Sequence, residues 1–263
     1  MTGAAMAELT IEYVGGPTAV IEAAGLRLLT DPTFDGPGEH PVGSRSLTKT
    51  AGPALAPDAV GPVDAVLLSH DQHPDNLDTS GRAFLARAPL VLSTEAARDR
   101  LGDPVRALPA GEWAELPRPD GGTLRITGVP AQHGPDGSES LVGQVTGFLL
   151  TGQGVPTVYV SGDNASLDVV RSIADTHGPV DVAVLFAGAA RTPLVPDAYL
   201  TLTSEQAAEA ARILGARQVV PLHFEHWGHF TQGRQTLLDA FATAGDGVRG
   251  TLRLLEPGER LTL

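Results

Sequence analysis

Apolar and polar residues alternate over 9–14, the period of a half-buried strand. Gly15-Gly16-Pro17 interrupts the run as a turn, 18–23 resumes it, Gly25 turns again, and 26–30 completes a predicted three-strand meander. Asp31-Pro32 ends it. The next stretch, 35–62, is rich in Pro and Gly and shows no hydrophobic period. A loop of that length in a compact domain is commonly functional or mobile, so it reads either as a candidate lid or as a plain insertion. Residues 63–68 are an apolar run, as in a buried strand, and the run stops at Ser69.

Beyond it the pattern predicts short helices over 79–87 and 94–101, the second opened by Ser93 or Thr94 with Glu95 in its first turn. Strands are predicted over 89–93, 105–108, 112–116 and 123–129. The second half repeats the style. Strands are expected over 143–151, 157–161, 180–186, 218–222, 252–255 and 260–263. Helices are expected over 166–177, 204–214 (Ser204 as N-cap) and 232–244. Two halves of strands and helices imply a sheet-on-sheet core with helices on its outer faces. The length of 263 residues suits one large domain or two small ones, and a single domain over 1–263 is expected.

Composition narrows the partners. The chain is 42% hydrophobic and 19% charged, ordinary for a globular protein, with a net charge of −13. An acidic surface disfavours nucleic acid and anionic membranes. Residues 1–8 are small and polar, and no apolar run reaches the roughly 18 residues of a membrane span. A cytoplasmic protein acting on a small molecule is therefore expected, and a homo-oligomer is compatible with the sequence. There is no Cys, which excludes a disulfide framework, a thiolate nucleophile and a thiolate metal site. Any metal must be held by imidazole and carboxylate.

Residues of that kind collect where apolar runs end. His70, Asp71, His73 and Asp75 follow 63–68; His133 follows Val129-Pro130-Ala131-Gln132; Asp163 follows Ser161-Gly162; His223 follows Pro221-Leu222. Like-oriented strands would bring these tips to one sheet edge. Imidazole and carboxylate suit Zn²⁺, with Mn²⁺ or Fe²⁺ as alternatives. Near His223 lie His226 and His229, readable as an acid, a substrate contact or a support for a ligand, or as a solvated aromatic loop. His40 sits in the Pro-rich stretch, where it could reach the site. His177 closes a helix before Gly178-Pro179 and reads as structural. Arg191 could bind an anionic substrate or merely belong to a connection.

These motifs, with Tyr13-Val14-Gly15-Gly16-Pro17-Thr18 and Leu29-Thr30-Asp31-Pro32, resemble the metallo-β-lactamase-fold hydrolases, in the branch of ascorbate-6-phosphate lactonase-like enzymes. The resemblance implies an α/β (α+β) fold, a four-layer αββα sandwich with one or two metal ions at one edge. It implies His133 as a ligand of one metal, His223 as a ligand of the other, and Asp163 as the bridge between them. It also implies hydrolysis by a metal-activated water, with Asp75 orienting the water and a second metal or an imidazole such as His226 steadying the oxyanion. His229 and Arg191 would contact substrate.

The signature turn departs from the family's His-x-His-x-Asp-His. The run is His70-Asp71-Gln72-His73-Pro74-Asp75-Asn76, so either His70 reaches across a bulged turn or Asp71 takes the first position, and Asn76 stands where the last His belongs. One site would then hold His70 or Asp71 with His73, His133 and Asp163. The other would hold Asp75, Asp163 and His223, and would bind more weakly. The expected activity is hydrolysis of a small ester, lactone or phosphate ester. The alternatives are a non-hydrolytic step on the same fold and a binding protein with a degenerate centre.

Overall fold

The computed structural model describes residues 7–263, so most of the leaderless reading of 1–8 lies outside the described residues. The opening meander is β1 (Leu9–Gly15), β2 (Thr18–Ala23) and β3 (Leu26–Thr30). A separate hairpin follows, β4 (Gly38–Val42) and β5 (Arg45–Lys49), then the single turn α1 (Pro57–Val60). Next, β6 (Ala65–Leu67), α2 (Thr79–Leu85), β7 (Val91–Ser93), α3 (Glu95–Leu101) and β8 (Val105–Ala107) lay three parallel strands beside β3.

The second sheet starts antiparallel with β9 (Trp113–Pro117), β10 (Thr123–Pro130), the turn α4 (Glu139–Val142), β11 (Thr146–Gly152) and β12 (Val155–Val160). It continues parallel through α5 (Leu167–His177), β13 (Val182–Phe186), α6 (Ser204–Leu214) and β14 (Gln218–Leu222). After α7 (Arg234–Thr243), β15 (Arg260–Thr262) returns to pair with β1. The strand orders are β15-β1-β2-β3-β6-β7-β8 and β14-β13-β12-β11-β10-β9.

Side-chain alternation explains the layers. In and just after β6, Leu67 faces the other sheet and packs in one cluster with Phe148, Val184 and Phe186. Its neighbours Val66 and Leu68 face outward onto Phe84 and Leu85 of α2. In β13, Val184 and Phe186 point between the sheets, while Ala183 and Leu185 meet Val170, Ile173, Leu214 and Leu237 of α5, α6 and α7. Period-2 strands buried on both faces thus give helix, sheet, sheet, helix. Because β10, β12, β13 and β14 all run the same way, their C-terminal ends share one edge.

Three expectations need correction. The stretch 35–62 is not structureless: it holds β4, β5 and α1. Its hairpin is wet on one face and only half-buried on the other, through a mix of His40, Val42, Arg45, Leu47 and Lys49, so it carries no hydrophobic period, and the two-residue turn Gly43-Ser44 has Gly43 at φ 59°. The N-cap of α6 is Thr203 rather than Ser204, because Thr203 and Gln206 form a reciprocal capping box. Residues 252–255 are not a strand; Leu252 makes a single bridge to Val219. No helix among the described residues is long and apolar enough to cross a membrane.

Candidate metal centre

The turn after β6 is fastened before it delivers its imidazoles. The Asp31 N–H donates to Leu67 O (3.1 Å), and the Ser69 N–H donates to Asp31 Oδ1 (2.5 Å). Further on, the N–H groups of Asn76 and Leu77 both donate to His73 O, at 3.1 and 3.0 Å. This curl brings His70 Nε2 to 3.0 Å from His73 Nδ1. His133 arrives from the end of β10, with its Nδ1 2.9 Å from Leu200 O. A carbonyl only accepts, so Nδ1 carries the proton and Nε2 is left as a bare acceptor. That Nε2 is buried and has no hydrogen-bond partner among the described residues. Burial pushes His70 well below the usual imidazole range and His73 down to about 4.

A second group lies beside the first. Asp163 follows β12 through Gly162, whose φ of +55° only glycine adopts freely, and a Cβ there would sit 2.8 Å from both Ser69 Cβ and Thr146 O. His223 follows β14, its N–H donating to Gly16 O at 2.7 Å. His223 Nε2 is 3.3 Å from Asp75 Oδ2 and 3.4 Å from Asp163 Oδ1. The other oxygen of Asp163, Oδ2, lies 3.8 Å from His133 Nδ1 in the first group. In each trio, His70/His73/His133 and Asp75/Asp163/His223, one donor atom per residue falls within 4.8 Å of the others.

Charge is concentrated there. Burial disfavours the Asp75 carboxylate, but the imidazoles of His229 and His223 more than offset it and hold Asp75 well below the usual range. Asp163 is lowered likewise, against burial, by His223, His133 and His70. Burial also works against a charged His223, yet the carboxylates of Asp163 and Asp75 push it up to about 10. Opposite charges packed this closely in a dry site are the environment in which multivalent ions are held.

The remaining candidates separate. Asp71 is turned away: Arg100 Nε donates to its Oδ2 (2.9 Å) and Oδ1 (3.2 Å), so the upstream position belongs geometrically to His70. Asn76 is buried with Nδ2 3.2 Å from Asp163 Oδ1 and 3.4 Å from Asp31 Oδ2. His226 is not brought to the cluster. It adopts φ 75° and lies beside Gly15, where an added Cβ would meet its ring at 2.8 Å. His229 is brought in, with Nε2 3.0 Å from Asp75 Oδ2. His40 stacks edge-on against Trp227 at 5.3 Å, and His177 ends α5 at the surface. Asp31 is a buried acid that inspection of the sequence did not single out as a site residue, although it lay inside a quoted motif. Burial pushes it up to about 8 against the Ser69 N–H.

Above the cluster is a small, partly open cavity of about 30 Å³. Val42, Arg45 and Leu47 of the β4–β5 hairpin form one wall, with Leu194 and Arg191 among its other lining residues. Arg45 is tied across the cavity by a 2.9 Å bond to Thr192 Oγ1, and the Arg191 guanidinium lies over the Tyr199 ring at 5.0 Å. Part of the lid-like stretch therefore does wall the site.

Residues 26–224 match a family model described as the beta-lactamase superfamily domain. A UPF0173 metal-dependent hydrolase of Pyrococcus furiosus is 24% identical over 253 residues, covering 96% of this chain and 99% of that protein. Among solved structures, an isothiocyanate hydrolase from Delia radicum gut bacteria superposes with a TM-score of 0.78 at 21% identity, covering 96% of this chain and 98% of that one. A possible metal-dependent hydrolase from Veillonella parvula gives a TM-score of 0.80 at 16% identity, covering 98% and 100%. At these identities the structural likeness speaks for the fold, and the fold is that of the metallo-β-lactamases.

Proposed function

Since this chain belongs to the β-lactamase superfamily, we propose that it is a metal-dependent hydrolase whose reaction centre is the paired His and Asp groups at the sheet edge. The observation that carries the reading is the disposition of Asp163. Its Oδ1 lies 3.4 Å from His223 Nε2 in one trio, and its Oδ2 lies 3.8 Å from the His133 ring of the other, at Nδ1. Among the described residues His133 Nε2 and Asp75 Oδ1 are buried acceptors without partners, and both residues line the same cavity. Each such atom costs on the order of 1–3 kcal/mol unless something binds it. A divalent cation is the partner this donor set fits.

His70, His73 and His133 would hold one ion. Asp75, Asp163 and His223 would hold a second, with Asp163 shared. Three imidazoles suit Zn²⁺, whereas two carboxylates and an imidazole accept Mn²⁺ or Fe²⁺ equally well. A cation bound there supplies Lewis acidity and a water whose pKa falls from about 15.7 to about 7.

The chain's own groups do the rest. Asp75 Oδ1, without a partner among the described residues, would orient the attacking water. Leu200 O fixes the His133 tautomer, and Ser69 Oγ, 3.0 Å from His70 Nδ1, orients His70. The hairpin residues Val42 and Leu47 limit water above the site. The cavity holds little more than a water-sized group, so a substrate would present its reacting bond from the open side. Arg45 and Arg191 at its walls suit a negatively charged group. A small ester, lactone or phosphate ester carrying such a group meets this condition, and the lactonase-like branch that the sequence resembles favours the same class.

The test is metal content joined to hydrolysis of a panel of such esters. Asp163→Asn keeps size and loses charge, so it should lose metal from the shared position and abolish hydrolysis while the circular dichroism spectrum is unchanged. Asp163→Ala should behave alike, and His177→Ala should leave both unchanged. An Asp163→Asn protein with full metal content and activity would refute the centre.

A further inference from the structure

The carboxylate-rich trio is short of nitrogen donors, and Asn76 cannot supply one. Its Nδ2 is spent on Asp163 Oδ1 and Asp31 Oδ2, so the side of the amide facing the cluster is a donor that holds a carboxylate in place. We propose that His229 is the second imidazole of this group, making Asp75, Asp163, His223 and His229 a four-donor cation site. The proposal rests on the metal-centre reading above and says which residue completes its weaker half.

Spacing is the first argument. Four donors at bond lengths of about 2.1 Å around a tetrahedral ion stand roughly 3.4 Å apart. The observed separations are 3.0 Å for His229 Nε2 to Asp75 Oδ2, 3.3 Å for His223 Nε2 to Asp75 Oδ2, and 3.4 Å for His223 Nε2 to Asp163 Oδ1. His229 adds one further edge to this set, through Asp75. The second argument is position. The His229 ring lines the same cavity as Asp75 and Asp163.

The third argument is that the ring is held in place. The Arg191 N–H donates to His229 O at 3.2 Å. The His229 ring lies 4.5 Å from that of Phe230, and Phe230 in turn packs edge-on against His223 at 4.8 Å. One aromatic side chain therefore spaces the two imidazoles. A donor pre-positioned in this way loses little freedom on binding. The competing account is a plain hydrogen-bonded pair in which His229 only orients Asp75.

Cobalt titration of the full chain separates the two. Wild-type protein should take up Co²⁺ in two phases, each with its own visible absorption bands. His229→Ala should leave the first phase unchanged, weaken the second at least tenfold and alter its bands. Added free imidazole, which matches the ring that the substitution removes, should restore the second-phase bands, which an orienting role alone would not produce. The metal-free variant should melt at the temperature of metal-free wild type, excluding a folding defect. If His229→Ala shows both phases with wild-type affinities and bands, the His229 assignment is overturned while the metal centre stands. If wild-type protein takes up no Co²⁺, the metal centre itself is overturned.

Discussion

Lys49, the chain's one lysine, should be worth more to stability than its place in an exposed hairpin suggests. Its Nζ lies 3.1 Å from Asp78 Oδ2, with the two side chains 2% and 0% exposed. Asp78 also accepts the Gly81 N–H at 2.8 Å, capping α2, and the Asp35 N–H at 2.6 Å. The pair therefore pins the end of β5 to the helix that follows the His/Asp turn. Lys49→Met keeps most of the apolar stem but removes the ammonium, which lies 5.3 Å from the Trp227 ring centroid, and strands a buried carboxylate. Removing one partner of a buried pair costs about 3–5 kcal/mol. The two remaining N–H donors still solvate Asp78, which puts the loss at the lower end, about 3 kcal/mol. At ~2–4 °C per kcal/mol for a domain of this size, the melting temperature should fall by about 6–12 °C. Urea unfolding of wild type, both single variants and Lys49→Met/Asp78→Asn closes the cycle, and the double variant should lose clearly less than the sum. A Lys49→Met loss below about 1 kcal/mol, or strict additivity, would refute the buried ion pair.

Gly162→Ala should lose at least about 2 kcal/mol, because it combines strain at φ +55° with contacts of 2.8 Å to Ser69 and Thr146, and it should lower metal content by displacing Asp163; equal metal content and stability would show that the turn can relax. Asp71→Asn should leave metal content unchanged and cost no more than about 1 kcal/mol, since its partner Arg100 is 43% exposed. Loss of an ion in Asp71→Asn would instead make Asp71, not His70, the first donor of the turn.

How much of this was legible follows from which forces act locally. Strands buried on both faces write themselves as apolar runs, and each ends on a polar residue that no core would keep, so His70, His133, Asp163 and His223 stood out by position. The β4–β5 hairpin was illegible for the opposite reason: Glu39 pairs with Ser46 and Thr48 in solvent, and no hydrophobic period records such contacts. Choices between neighbours were undecidable for a third reason. What separates His70 from Asp71 in the fold is Arg100, 29 residues from Asp71, which binds the Asp71 carboxylate. His226 and His229 stand three apart, a spacing that would share a face on a helix, but they lie in a loop where that rule has no force. There the positive φ of His226 and the absence of a Cβ at Gly15 decide that one ring packs against the first strand, while Arg191 and Phe230 hold the other beside Asp75. Asn76 is intelligible in the same terms. Once a loop imidazole stands beside Asp75, the turn position can carry an amide that fixes Asp163 and Asp31, so a departure that looks like decay in the sequence becomes a redistribution of donors between a turn and a loop.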